Sequence, residues 1–201
     1  MTGGRAACRP VCVRCLRAAC VCACLRQPGV PVRCAVELLI LQHPREQREA
    51  KGTARLLHLA VSGSRLLVGE RWPGPPPGDL RRELLLYPPT PGDAALPATP
   101  AIDPAWLRSP PSIRLVVLDG TWRKSRRMLY DSPWLQGLPR FSLDAPPPSR
   151  YAPIRRARGQ GQRSTFEAAL LALQALEAEP RALDALWPVF DAFVHSQQRG
   201  G

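Results

Sequence analysis

No apolar run in this 201-residue chain approaches the length of a membrane span, so a spanning helix has no candidate segment. Met1 to Pro10 lacks the long apolar core of a signal peptide. No internal repeat is visible. Lysine is nearly missing: of 28 basic residues only Lys51 and Lys124 are lysine. Acidic residues number 16, leaving a formal net charge of +12. Cysteine does not occur after Cys34, the last of seven. The expectation is a cytoplasmic protein, and there a dense cysteine cluster is more readily metal-bound than disulfide-bonded.

A basic excess of this size favours a polyanionic partner, because each neutralised phosphate releases condensed counterions. Arginine adds planar, bidentate phosphate recognition. A GC-rich coding sequence would account for arginine over lysine, but not for the excess over acids. Nucleic acid is therefore the expected partner. The length suits one α/β domain with a substantial core and a small appendage.

The appendage is expected at residues 1–34. Cys12-x2-Cys15 and Cys22-x-Cys24, six residues apart, make two close thiolate pairs joined by a short loop. Zinc favours four such soft ligands in a closed tetrahedron, which substitutes for a core this segment cannot build. Cys20 could replace one member of the second pair, and Cys8 and Cys34 are spare. Four thiolates would also hold an iron–sulfur cluster. Structural zinc on Cys12, Cys15, Cys22 and Cys24 is the expectation.

Residues 35–201 then read as an alternation of strands and helices, hence a mostly parallel α/β sheet. Strands are expected at 36–41, 65–68, 83–87, 115–118 and 141–143, and helices at 53–61 and 123–130. The proline-rich stretches 73–79 and 89–104 read as loops. Ser164 and Glu167 have the spacing of a capping box, opening a helix with Phe166, Leu170, Leu173 and Leu176 on one face. A last helix is expected from Pro180, carrying Leu183, Leu186, Trp187, Phe190 and Phe193 inward.

The most informative stretch is 115–122, Leu-Val-Val-Leu-Asp-Gly-Thr-Trp. Ligand sites in open α/β sheets collect at strand ends, where loops converge and leave backbone groups free. Asp119 supplies a base or acceptor beside Trp122, a flat stacking surface. Thr121 or Asp119 could equally cap the helix that follows, and Trp122 could brace the loop. The run 150–163 is basic, glycine-bearing and aperiodic, like a loop that contacts phosphates.

Several motifs occur in a fixed order. They are Cys12-x2-Cys15-x6-Cys22-x-Cys24, Gln42-His43-Pro44-x-Glu46, Gly52-Thr53, Tyr87-Pro88, Leu118-Asp119-Gly120-Thr121-Trp122 and Ser164-Thr165-x-Glu167-Ala168. From about residue 11 to 195 the chain resembles the DTW-domain proteins, named for Asp-x-Thr-Trp. Proteins of this family are tRNA-uridine aminocarboxypropyltransferases. The resemblance implies transfer of the 3-amino-3-carboxypropyl group of S-adenosylmethionine to N3 of a uridine, with methylthioadenosine released. It also implies a fold similar to the SPOUT class, with a knotted cofactor site of a kind that general chain-topology rules would not anticipate.

On this reading Asp119, Thr121 and Trp122 form the catalytic group. Asp119 would take the N3 proton, or instead hydrogen-bond the cofactor's amino group or uracil. Trp122 would stack on uracil or adenine, and Thr121 would bond a ribose or carboxylate. Leu118, Gly120, Ser164, Thr165, Glu167 and His43 would line the cofactor pocket, with Glu46 nearby and Arg155 or Arg156 on the cofactor carboxylate. Glu167 would alternatively serve the capping box alone. tRNA docking is expected on Arg14 and Arg17, on Arg123, Lys124, Arg126 and Arg127, and on Arg156, Arg158 and Arg163. The same elements would suit an RNA methyltransferase, or a noncatalytic zinc-stabilised RNA-binding protein.

Overall fold

The apolar runs 38–41 and 113–117 are buried on both faces, as strands inside a parallel sheet must be, whereas 65–68 lies at the sheet edge and is largely exposed. The structure is a computed structural model and describes residues 12–15, 30–75, 78–90, 92–152 and 163–199. In chain order the strands are β1 (Val32–Arg33), β2 (Glu37–Gln42), β3 (Val61–Ser62), β4 (Arg65–Val68), β5 (Arg82–Leu86), β6 (Ile113–Asp119) and β7 (Arg140–Phe141). The α-helices are α1 (Ala54–Ala60), α2 (Pro104–Leu107), α3 (Trp122–Tyr130), α4 (Pro133–Gln136), α5 (Thr165–Leu176) and α6 (Leu186–Arg199). Five strands form one sheet in the order β4-β2-β6-β5-β7, with every neighbouring pair parallel. β1 and β3 make a separate two-stranded parallel pair.

Side chains alternate across a strand, and that period divides the core into two halves. Leu38, Ile40, Leu84, Leu115 and Val117 pack against α1, α5 and α6. Leu39, Leu41, Leu85 and Val116 face the opposite way, onto Met128 and Leu129 of α3 and Leu135 of α4. The result is three layers, helix on sheet on helix. Phe166, Leu170, Leu173 and Leu176 are all buried along α5, and Phe166 stacks on Phe190 of α6 at 5.0 Å between centroids. No helix among the described residues is long and apolar enough to cross a membrane.

Two expectations shift. The stretch 180–185 is a 3-10 helix and the α-helix begins only at Leu186. Pro188 is the reason: it lacks an N–H, and its ring would clash with the carbonyl four residues back in an α-helix running from 180. Starting at Leu186 puts that proline in the first turn, where it is tolerated. α2 begins where the proline-rich loop ends, capped by the Asp103 carboxylate accepting from the Ala105 N–H at 2.8 Å. The segment after Pro139 pairs at 140–141 rather than 141–143.

At the amino-terminal end of the sheet, Arg114 is 1% exposed. It lies in register between Glu37 of β2 and Glu83 of β5. Its Nε and Nη2 donate to the two Glu37 oxygens at 3.1 Å each, and Nη1 donates to Glu83 at 2.8 Å. Asp79, on the loop before β5, takes a further bond from Nη2. Glu37 also pairs with Arg81 at 2.7 Å, and Glu83 accepts from Trp134 Nε1 at 2.7 Å. Burial would lower the Arg114 pKa, but the hydrogen bonds to Glu37, Asp79 and Glu83 override it and raise it. The same guanidinium, by its hydrogen bond, holds the Asp79 carboxyl below its usual range.

Arg114→Met leaves three carboxylates facing one another without their common cation, and losing one partner of a buried ionic cluster costs about 3–5 kcal/mol. For a chain of this size the melting temperature should fall by roughly 10 °C; a drop within about 2 °C would show the cluster to be dispensable. The depressed Asp79 carboxyl contributes stability that is present above its unfolded value and lost as pH falls through the folded one. Asp79→Asn should therefore lower stability at neutral pH and flatten the decline below about pH 4, read by denaturant titration.

Candidate active site

The opposite, carboxyl-terminal end of the sheet gathers the motif residues. β2 ends at Gln42 and β6 at Asp119, and the two residues are partners in the strand register. Gln42 Nε2 donates to Asp119 Oδ2 at 2.9 Å, and the Thr165 hydroxyl donates to Oδ1 at 2.6 Å. The His43 N–H donates to the Asp119 carbonyl at 2.9 Å. Asp119 is 5% exposed. One carboxylate thus holds the exits of β2 and β6 to the first residue of α5, joining segments 77 and 46 positions apart.

Gly120 follows because the chain there passes close to both neighbours. A Cβ at this position would lie 3.1 Å from Lys124 Cβ, 3.4 Å from Ser125 N and 3.8 Å from His43 Cβ. Thr121 caps α3, its side chain accepting from the Lys124 N–H at 3.4 Å. Trp122, the first residue of α3, is half exposed and meets Tyr87 edge-on, with centroids 5.7 Å apart. Tyr87 is buried, which raises its pKa, and Arg140 lies over its ring at 5.7 Å. Arg140 Nη1 donates to the Leu135 carbonyl at 3.0 Å, while Nε and Nη2 are buried without an acceptor among the described residues. Burial lowers the Arg140 pKa.

The start of α5 is closed by its own side chains. The Ser164 hydroxyl accepts from the Glu167 N–H at 3.2 Å, and the Glu167 carboxylate accepts from the Ser164 N–H at 3.1 Å. This is the capping box expected from spacing. The Phe166 N–H goes to the Thr53 hydroxyl at 3.1 Å. Glu167, 1% exposed, also accepts from the Ser149 hydroxyl at 3.0 Å and the Arg150 N–H at 2.6 Å. It clamps the 149–151 loop onto the helix, and the Tyr151 hydroxyl ties that loop onward to the Lys51 carbonyl. These N–H groups already have partners inside the protein, and Glu167 and Ser164 are spent on holding the start of α5 and the 149–151 loop together.

His43 is buried; its Nδ1 accepts from the Arg45 N–H at 3.1 Å, and Nε2 lies 3.3 Å from the exposed Glu70 carboxylate. Glu46, also buried, pairs with Lys124 at 2.6 Å. The basic side chains of α3 therefore differ. Lys124 is tied to Glu46, Arg126 to Asp93 at 2.9 Å and Arg127 to Asp131 at 2.7 Å. Arg123 is exposed and has no ion pair among the described residues. Arg163 Nη2 donates to the Pro146 carbonyl at 2.9 Å, and the Arg14 carbonyl accepts from Arg55 Nε at 2.7 Å. Leu118 is half-buried beside the α3 side of the core.

Arg17, Arg155, Arg156 and Arg158 lie outside the described residues, as do Cys20, Cys22 and Cys24. Cys12 and Cys15 share one turn against the main core, and Cys15 is 3% exposed. Among the described residues no three His, Cys, Asp or Glu side chains are grouped to hold a metal ion. Burial, with Glu177 adding to it, pushes the Cys34 thiol up to about 12.

Sequence reasoning did not give Gln42, Thr53 or Ser149 a function, although each fixes a site segment. The first two stand within quoted motifs. Ser149 and Arg140 carry no signal in the sequence, because their roles arise from loops that meet only in the folded chain.

A family model described as the DTW domain matches residues 9–198. The tRNA-uridine aminocarboxypropyltransferase 2 of Drosophila melanogaster is 32% identical over 187 residues, covering 89% of this chain and 71% of that protein. The protein of the same name from Macaca fascicularis is 30% identical, with coverages of 96% and 65%. The tRNA-uridine aminocarboxypropyltransferase A of Arabidopsis thaliana is 28% identical, covering 62% of this chain and 52% of its own length. No solved structure gives a significant match. A model match across nearly the whole chain and relatives sharing one name agree: the chain belongs to the DTW domain family.

Proposed function

We propose that the protein transfers the 3-amino-3-carboxypropyl group of S-adenosylmethionine to N3 of a tRNA uridine. N3 gives up its proton to solvent water and bonds the methionine γ-carbon; the bond from that carbon to sulfur breaks, and the sulfonium leaves as neutral methylthioadenosine. The observation that carries this reading is the Asp119–Thr165 hydrogen bond. It sets Asp119, Thr121, Trp122, His43 and the opening of α5 around one end of a parallel sheet, where ligands of open α/β folds bind. The names of the three relatives supply the reaction class.

In this site the half-exposed Trp122 is the stacking face for the uracil base, held at its angle by Tyr87. Thr121, Leu118, Gly120, His43 and Thr165 border the donor. The choice of γ-carbon over methyl is one of orientation: whichever carbon stands in line with N3 reacts. Asp119 acts as a positioning residue, because both carboxylate oxygens are engaged inside the protein by Gln42 and Thr165. The all-parallel sheet, with its site segments meeting at one end, suits a SPOUT-like fold with a knotted donor site. Cys12 and Cys15, with Cys22 and Cys24, suit a structural zinc that holds segment 1–34 on the 35–201 catalytic domain; thiolates of that kind fit a reducing cytoplasm.

The fate of the donor tests the reaction. With unmodified tRNA the protein should release methylthioadenosine, while S-adenosylhomocysteine as the only product would assign methyl transfer instead. Two variants test the role of Asp119. Asp119→Asn keeps both hydrogen bonds, since its amide donates to the Thr165 hydroxyl and its carbonyl accepts from Gln42. Its kcat should stay within about tenfold of wild type, whereas loss of a general base costs about 10²–10⁴-fold. Asp119→Ala releases the loops, and a misplacement of about 1 Å costs on the order of 100-fold. An Asn variant as inactive as the Ala variant, with an unchanged melting temperature, would make Asp119 the base.

A further inference from the structure

We infer that the tRNA is gripped at the mouth of this site by Arg45, Arg48 and Arg123, which would clamp the phosphates flanking the target uridine; the inference rests on the tRNA reading above. The observation behind it is how the protein distributes its carboxylates. At the amino-terminal end of the sheet, Arg65, Arg81 and Arg114 share Glu37, Asp79 and Glu83. Along α3, Lys124, Arg126 and Arg127 are paired with Glu46, Asp93 and Asp131. Guanidinium groups already neutralised this way release few counterions when a phosphate approaches.

Arg45, Arg48 and Arg123 are different. All three are exposed, and none makes an ion pair among the described residues. Arg45 lies in the 3-10 turn Pro44–Glu46 directly after β2, Arg48 three residues on, and Arg123 in the first turn of α3. Two contacts bring these segments side by side. One is the Glu46–Lys124 ion pair, at 2.6 Å between the immediate neighbours of Arg45 and Arg123. The other is the approach of Gly120 to His43 Cβ. Trp122, half exposed, is the residue next to Arg123.

Three acids belong to these segments: Glu46, whose charge is met by Lys124, Glu49 beside Arg48 in the chain, and Glu70, which faces His43. The collar keeps a net positive charge around a stacking face. A single-stranded nucleotide is read in that combination: cations on the backbone and an aromatic plane for the base. Phosphate contacts fix position, and Trp122 meets the splayed-out base.

The test is tRNA affinity measured against salt concentration by filter binding, without donor present. Arg45→Gln/Arg48→Gln/Arg123→Gln should weaken binding at least tenfold at physiological salt. It should also reduce the log–log salt slope by about 2, at roughly 0.7–0.9 per lost phosphate contact. A double variant of exposed arginines elsewhere, Arg33→Gln/Arg181→Gln, should change affinity less than about twofold. Arg126→Gln/Arg127→Gln should fall between them. In turnover assays the triple variant should raise KM for tRNA while kcat at saturating tRNA is kept. An unchanged slope, or an equal loss in the Arg33/Arg181 control, overturns the collar. Failure of the transferase reading looks different: wild-type protein would bind tRNA through these arginines and leave every uridine unmodified.

Discussion

A guanidinium held inside the protein fixes where everything else can go. Arg114 enters β6 between two glutamates of the adjacent strands, and only with their carboxylates and Asp79 around it can its charge be buried at 1% exposure. A slip of either neighbouring strand by one residue would turn its glutamate to the opposite face. The cluster therefore pins β2 and β5 to the central strand in one register. It also anchors α4 through Trp134 and the loop before β5 through Asp79 and Arg81.

Register at one end decides geometry at the other. With Glu37 opposite Arg114, Gln42 necessarily stands opposite Asp119. That pairing allows the Gln42–Asp119 hydrogen bond and leaves Asp119 to receive Thr165 from α5. The two ends of the sheet divide labour: charges are matched and buried at the amino-terminal end, while at the carboxyl-terminal end Trp122 and three arginines face outward. Rigidity behind the site and open charge in front of it follow from one strand alignment.

Much of this was legible. The strands at 36–41, 65–68, 83–87 and 115–118 and the capping box at 164–167 came from apolar runs and spacing, which are local properties, and the structure has them close to those bounds. The two-stranded β1–β3 pair was not visible, since two-residue strands carry no periodicity. The late start of α6 was missed because the apolar pattern from Leu183 onward outweighed Pro188. Among candidate site residues, the motif placed Asp119, Thr121 and Trp122 at a strand end, and that is where they lie. What sequence could not convey was partnership. Lys124, Arg126 and Arg127 look alike in a string of basic residues, and only the fold shows Glu46, Asp93 and Asp131 beside them. Glu167 likewise looks like a ligand-facing acid until Ser149 and Arg150 are seen against it.

The most direct test of the account is nucleoside mass spectrometry of unmodified tRNA incubated with the full chain and S-adenosylmethionine. One uridine should come back heavier by an aminocarboxypropyl group, attached at N3. A methyl-sized gain would contradict the proposed chemistry while leaving the site in place. A tRNA pool that binds the protein but comes back unchanged would contradict catalysis itself.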